Sequence, residues 1–221
     1  SINSSFGNSY DFYSFSENRI NINLFYNNFQ SWVQYEYSNP PDVGFPINDI
    51  RKFRFEYQNK ALNIKLGDIY EIWGRGLVLN QFDDQLLDFD NGIRGLFINY
   101  GKGPFSLTHI NGNANLWSYG LDLRKPYYND KHNVIANRLL YEKGSTVLGL
   151  THLISSEEHS KLNLDVVDVG HTIKGIYGDY SSNNFDIFLE YVDKVSISKN
   201  IVSNNFPNDT LKTGYGLYGN L

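Results

Sequence analysis

The residues able to do chemistry in this sequence are mostly carboxylates standing near cations, and their densest cluster lies in GDIYEIWGRGLVLNQFDDQLLDFDNGIRG, from Gly67 to Gly95. Asp83, Asp84, Asp88 and Asp90 could offer oxygens to a Ca²⁺ ion. Their spacing lacks the alternating Asp-x-Asp-x-Asp-Gly order of a known calcium loop, so a solvated or arginine-paired acidic face is expected instead. The histidines, His109, His132, His152, His159 and His171, form no His-x-x-x-His pair, and no zinc set is expected. Glu36, Glu56, Glu71 and Glu190 could be drawn as glycosidase pairs, but the separation that would define them is not written in a sequence. No Gly-x-Ser-x-Gly elbow occurs. His152 or His171 near Asp186 is the acid–base pairing that a barrel hydrolase could draw. The expectation is therefore a protein without catalytic residues, metal or cofactor, hence not an enzyme.

Elements that position these residues are strands. In RININLFY, Ile20, Ile22, Leu24 and Tyr26 share one face, while Asn21, Asn23 and Phe25 share the other. Asn27-Asn28 turns the chain into SWVQYEY, where Val33, Tyr35 and Tyr37 oppose Gln34 and Glu36. RKFRFEYQ sets Phe53, Phe55 and Tyr57 against Lys52, Arg54 and Glu56. Asn59-Lys60 makes a hairpin into ALNIKLGD, and Gly101-Lys102-Gly103 and Lys143-Gly144 mark further turns. The pattern continues through HTIKGIYGDY, FDIFLEYVDK and LKTGYGLYGNL, giving about a dozen strands of roughly 7–11 residues and no convincing helix. STVLGLTHLI fits poorly, with leucine or isoleucine on both faces.

Alternation alone leaves two architectures open: a soluble β-sandwich and a β-barrel with lipid outside and water inside. Aromatics make up 16% of the 221 residues, with 17 Tyr against 3 Trp. Tyr26, Tyr37, Tyr57, Tyr100, Tyr180 and Tyr191 lie near strand ends on apolar faces, as an interfacial girdle would. The opposite faces carry mixed charge, which a watery lumen tolerates. No apolar run approaches the length of a spanning helix. A formal charge of −5 offers no basic stripe for nucleic acid, and the absence of cysteine removes disulfide and thiolate chemistry.

GDIYEIWGRGLVL followed by DNGIRG resembles a signature of an outer-membrane β-barrel family of Bacteroidetes-type bacteria, known as a domain of unknown function. The matching positions are Gly67, Asp68, Tyr70, Gly74, Gly76, Leu77, Asp90, Asn91, Arg94 and Gly95. NNFDIFLEYVDK, with Glu190, Tyr191 and Lys194, and the terminal TGYGLYGNL are similar to two later strands of that family. The resemblance covers residues 50–221. It implies a barrel in the bacterial outer membrane and carries no activity with it.

The combined expectation is one all-β domain over 1–221, an antiparallel up-and-down transmembrane barrel, partial and truncated at its C-terminal end. A non-strand segment at 69–91 either fills the lumen or packs on the rim. The function expected is a non-enzymatic pore, uptake channel or surface scaffold; the alternative is a secreted sandwich binding glycans through exposed aromatics. Asp68, Tyr70, Trp73, Arg75, Asp88, Asp90 and Arg94, with Lys52, Arg54, Glu56, Glu190 and Lys194, are the candidates for a lumen constriction. Lys65 and Lys174 are placed on the same lumen wall. Arg75 and Arg94 are expected to pair with Asp68, Asp84, Asp88 or Asp90, or with Glu190. The expected partners are outer-membrane lipid, small polar solutes and other envelope proteins, with no nucleic acid.

Overall fold

The computed structural model describes residues 2–8, 14–42, 46–84, 89–119, 126–160, 167–200 and 210–221. Their strands are β1 (Ile2–Asn8), β2 (Ser14–Tyr26), β3 (Phe29–Ser38), β4 (Ile47–Gln58), β5 (Leu62–Ile69), β6 (Asp83–Asp84), β7 (Phe89–Asp90), β8 (Ile93–Lys102), β9 (Phe105–Tyr119), β10 (Pro126–Lys143), β11 (Thr146–Ser160), β12 (Val167–Ser181), β13 (Asp186–Asn200) and β14 (Thr210–Asn220). Twelve of them form one antiparallel sheet in which each strand lies beside its neighbour in the chain, apart from β6 and β7, which pair with each other. This is an up-and-down meander. Among the described residues the other sheet is the two-stranded β6–β7 pair, too small to be the second layer of a sandwich, so the two-layer alternative is not what the described residues form.

The strands run longer than the sequence pattern suggests. β9 continues past FSLTHI through NGNANLWSY, and β10 reaches 18 residues. Their extensions are rich in Asn and Gly, residues with little strand propensity of their own. Here the register to neighbouring strands carries them, as Asn113 pairs with both Arg94 and Asn133.

One face of the sheet is apolar and open. Leu24, Leu66, Leu107, Leu150, Leu189 and Leu217 are each more than half exposed, and Tyr26, Tyr100, Tyr180 and Tyr191 stand among them. The other face carries Gln34, Glu36, Lys52, Thr108, Thr151, Ser155 and Glu190, all buried. The excursion between β5 and β8, described over residues 70–84 and 89–92, packs on that second face. Lys52 on β4 meets Asp83 and Asp90 of the excursion, and Glu190 on β13 accepts the Arg75 backbone N–H. In the sheet order β4 and β13 are seven strand spacings apart, about 34 Å if the sheet were flat. One short excursion reaches both because the sheet curls around it.

The core lies where the excursion meets the curled wall. Trp73, Val78 and Leu79 pack with Ile69, Ile93 and Phe97, with Ile110 and Ala114 of β9, Val134 and Ala136 of β10, Leu153 of β11 and Val192 of β13. This explains the poor alternation of STVLGLTHLI. Its outward Leu148 and Leu150 belong to the open apolar face, whereas inward Leu153 covers the excursion.

Candidate functional site

Chain geometry at the start of the excursion is set by Gly67. Its φ of 114° is a conformation that side-chain-bearing residues rarely adopt, and a Cβ there would sit 2.2 Å from the Phe53 carbonyl oxygen. The β4–β5 ladder stops at the Arg54–Gly67 pair, while β5 keeps its pairing to β8 up to Ile69 opposite Ile93. Asp68 and Arg94 close the resulting gap. The Phe53 N–H donates to Asp68 Oδ2 at 2.7 Å, Arg94 donates to the Arg51 carbonyl at 2.7 Å, and Arg94 Nε meets Asp68 Oδ1 at 2.8 Å. The Arg94 guanidinium also covers the Phe53 ring. The expected Arg94–Asp68 pair is therefore present, but it stands on the outer face with Leu66 and Leu96. As lumen residues the two are corrected: they staple the wall, and they do so because charge-assisted hydrogen bonds are strong enough to replace lost ladder bonds.

Within the excursion a local hairpin forms, with the Trp73 N–H bonded to the Leu79 carbonyl and Ile72 bridged to Asn80. At its tip Gly74, with φ 60°, brings the backbone against Glu190: the Arg75 N–H donates to Glu190 Oε2 at 2.7 Å. Arg75 thus meets Glu190 through its main chain and not its guanidinium, which lies over the Phe188 ring at 5.0 Å. Trp73 is fully buried, with the Arg138 guanidinium 5.2 Å from its ring. Leu77 reaches toward Gly216 on β14, and Val78 fits against Gly175 on β12.

The returning arm is held by Lys52. This lysine is almost wholly buried, and its Nζ lies 2.6 Å from Asp83 Oδ1 and 2.8 Å from Asp90 Oδ2. Asp90 also accepts from the Tyr70 hydroxyl and the Gly92 N–H. Burial pushes the Asp90 carboxyl up, but the hydrogen bond and charge of Lys52, helped by Gly92 and Tyr70, outweigh it and hold the group below the usual carboxylate range. Burial, and then the charges of Asp90, Asp83 and Asp68, drive the Tyr70 phenol far above its ordinary range, so it serves as a neutral donor. Asn91 ties the two arms together, donating to the Asn80 carbonyl at 2.8 Å and accepting from the Phe82 N–H at 2.6 Å. Lower on the wall, Lys65 meets Glu71 at 2.9 Å and lies over the Phe97 ring.

The structure thus gathers Tyr70, Trp73, Arg75, Asp90, Lys52 and Glu190 into one interior assembly. Arg54 and Glu56 share the inward face of β4 and approach each other at 3.6 Å, and Lys194 shares the inward face of β13. Asp88 lies outside the described residues. Lys174, expected on the lumen wall, stands on the outer face between His152 and Asp193, since Gly175 and Tyr177 take the inward positions. Asp186 begins β13 opposite Ser181, far along the strands from His171, which pairs with Ser196. Arg138 was not singled out from the sequence, and Asp83, read there only as part of an acidic row, is held by Lys52. Arg138 shares strand parity with inward Val134 and Ala136, a signal that was available.

Comparison with solved structures finds a likeness to the outer-membrane-expressed OmpT of Vibrio cholerae, at 9% identity and a TM-score of 0.45, covering 92% of this chain and 72% of that one. Its loop L8 deletion variant gives the same identity and score over 92% and 78%. Among curated proteins no sequence matches. The family model described as a family of unknown function, DUF6029, matches residues 9–221, and the chain belongs to that family.

Proposed function

We propose that this chain builds the wall of an outer-membrane β-barrel in a Bacteroidetes-type envelope, with residues 70–92 narrowing its interior. The protein then acts as a restricted pore or uptake channel for small polar solutes, or as a surface scaffold. One observation carries the reading: a single curled sheet turns a band of leucines and tyrosines outward and Lys52, Glu36 and Glu190 inward around a packed segment. A soluble protein rarely leaves so continuous an apolar face uncovered, whereas a bilayer supplies its cover. The polar lining, Lys52, Arg54, Glu56, Glu190 and Lys194, suits water and small solutes, with paired charges setting ion preference. In this reading the excursion is a constriction and not an active site.

The experiment is cell fractionation of the full-length gene product, followed by gel mobility with and without boiling. Outer-membrane residence with a heat-dependent shift is the expected result. A soluble protein with no shift refutes the proposal. Conductance in planar bilayers then separates the two roles. A pore gains conductance when residues 70–92 are replaced by a short turn, and a scaffold does not conduct in either form.

A further inference from the structure

On the inward face, above the packed excursion, three neighbouring strands bring together a serine, a histidine and a carboxylate. His171 on β12 has Nδ1 2.8 Å from Ser196 Oγ on β13 and Nε2 3.0 Å from Glu157 Oε2 on β11. The His171 and Glu157 side chains are about one-sixth exposed, sheltered but open to the interior. Toward the core the next inward residue after His171 is Ile173, while Ser155 and then Leu153 follow Glu157, and Lys194 and then Val192 follow Ser196. Leu153 and Val192 belong to the cluster around Trp73, and Ile173 packs against it. The constellation therefore sits on the wall of a vestibule whose floor is the excursion. Register sets Lys212 on β14 across from Ser196, and Lys194 two residues before it on the same face.

We propose that Ser196, His171 and Glu157 form an acyl-transfer site for carboxylic esters entering the vestibule. Glu157 accepts the Nε2–H of His171, which leaves the Nδ1 lone pair facing Ser196. Ser196 Oγ attacks the ester carbonyl carbon while its proton passes to Nδ1. Negative charge develops on the carbonyl oxygen, where Lys212 and Lys194 supply cations on the same wall. The carbon–oxygen bond to the leaving group then breaks, and the imidazolium proton goes to the departing alkoxide to give an alcohol. Water attacks the acyl-serine, its proton goes to His171 and on to Ser196 Oγ, and the carboxylic acid leaves. Atoms balance with water as the only co-reactant. Glu157 is a positioning residue, since it acts through His171. The site depends on the inward face alone and not on what covers the outer one.

The test uses the full chain in detergent with a reporter-tagged alkyl fluorophosphonate, mapped by mass spectrometry, and p-nitrophenyl acetate as the ester. Covalent label on Ser196 is expected, together with ester turnover that His171→Gln lowers at least about a hundredfold. Glu157→Gln should lower kcat and displace the pH profile of the base, a change that a purely structural contact would not produce. Ser196→Ala should abolish label and turnover while keeping the wild-type gel shift. If that variant does not fold, the mapped position of the label on the wild-type chain decides. No label, label on another residue, or turnover equal in wild type and His171→Gln overturns the proposal and leaves a cross-strand polar contact. The unboiled gel shift is independent of these outcomes, so loss of this site would leave the barrel reading standing.

Discussion

Replacing Lys52 by methionine keeps most of the side chain's bulk and removes the ammonium that joins the excursion to β4. Two short ion pairs vanish together, to Asp83 and Asp90. Breaking a buried pair by removing one partner costs about 3–5 kcal/mol. Asp83 and Asp90 retain 18% and 29% side-chain exposure, so solvent can recover part of their charge and the low end, about 3 kcal/mol, is expected. At about 1.4 kcal/mol per factor of ten, the released form of the excursion rises in population by about two orders of magnitude. Hydrogen–deuterium exchange reads this directly: peptides from residues 70–92 should exchange about a hundredfold faster, while β12 and β13 keep their protection. The combined variant Lys52→Met, Asp83→Asn, Asp90→Asn removes the stranded carboxylates and should recover much of the loss. Equal exchange in wild type and Lys52→Met, or no recovery in the combined variant, would refute an electrostatic latch.

Other expectations follow from the same geometry. Gly74→Ala meets a left-handed backbone costing about 1–2 kcal/mol, and its Cβ would lie 2.8 Å from a Glu190 carboxylate oxygen. Gly103→Ala has a similar φ with nothing within 4 Å, so denaturation midpoints should fall more for Gly74→Ala. Leu189→Arg on the outer face should weaken membrane insertion by about 2–4 kcal/mol at mid-bilayer, whereas Lys194→Ala on the inner face should insert normally; equal behaviour in a liposome folding assay would reverse the assigned faces. Asp90 is held below its unfolded value, so its contribution is present above the ordinary carboxylate range and is lost as pH falls through the folded value. Protection of residues 70–92 should therefore drop on acidification below about pH 4, and the drop should be absent in Asp90→Asn.

Much of the wall was legible because strand parity is a strict code. Ile20, Ile22, Leu24 and Tyr26 share a face in the sequence and in the fold, and Lys52, Arg54 and Glu56 share the opposite one. Charge misleads where it competes with parity. Asp68 continues the series Leu62, Ile64, Leu66, and Arg94 that of Leu96, Ile98 and Tyr100, so both belonged outside by spacing alone. Lys174 shares parity with Ile176 in the same way. The inward packing of the excursion was open on sequence grounds, since nothing local tells a rim loop from a filled interior. Its trace was the apolar inner residues of β8 to β11, which have no purpose in a purely watery lumen. Ser196, His171 and Glu157 could not be grouped, because only the pairing register brings three separate strands into contact.

The excursion leaves the wall at Ile69 and rejoins it at Ile93, and these two residues face each other across the β5–β8 ladder. Topologically, then, the inner body is a pendant: it hangs from one point, and the strands beside that point would pair identically if a tight turn replaced it. Wall and filling are separable modules as far as chain connectivity goes. Energetically they are not, because Ile93, Phe97, Ile110 and Leu153 would lose the cover of Trp73, Val78 and Leu79. An ancestor or a designed variant could exchange the pendant for another of different bore while leaving every strand register untouched, provided the new insert brought its own apolar patch to the same spot.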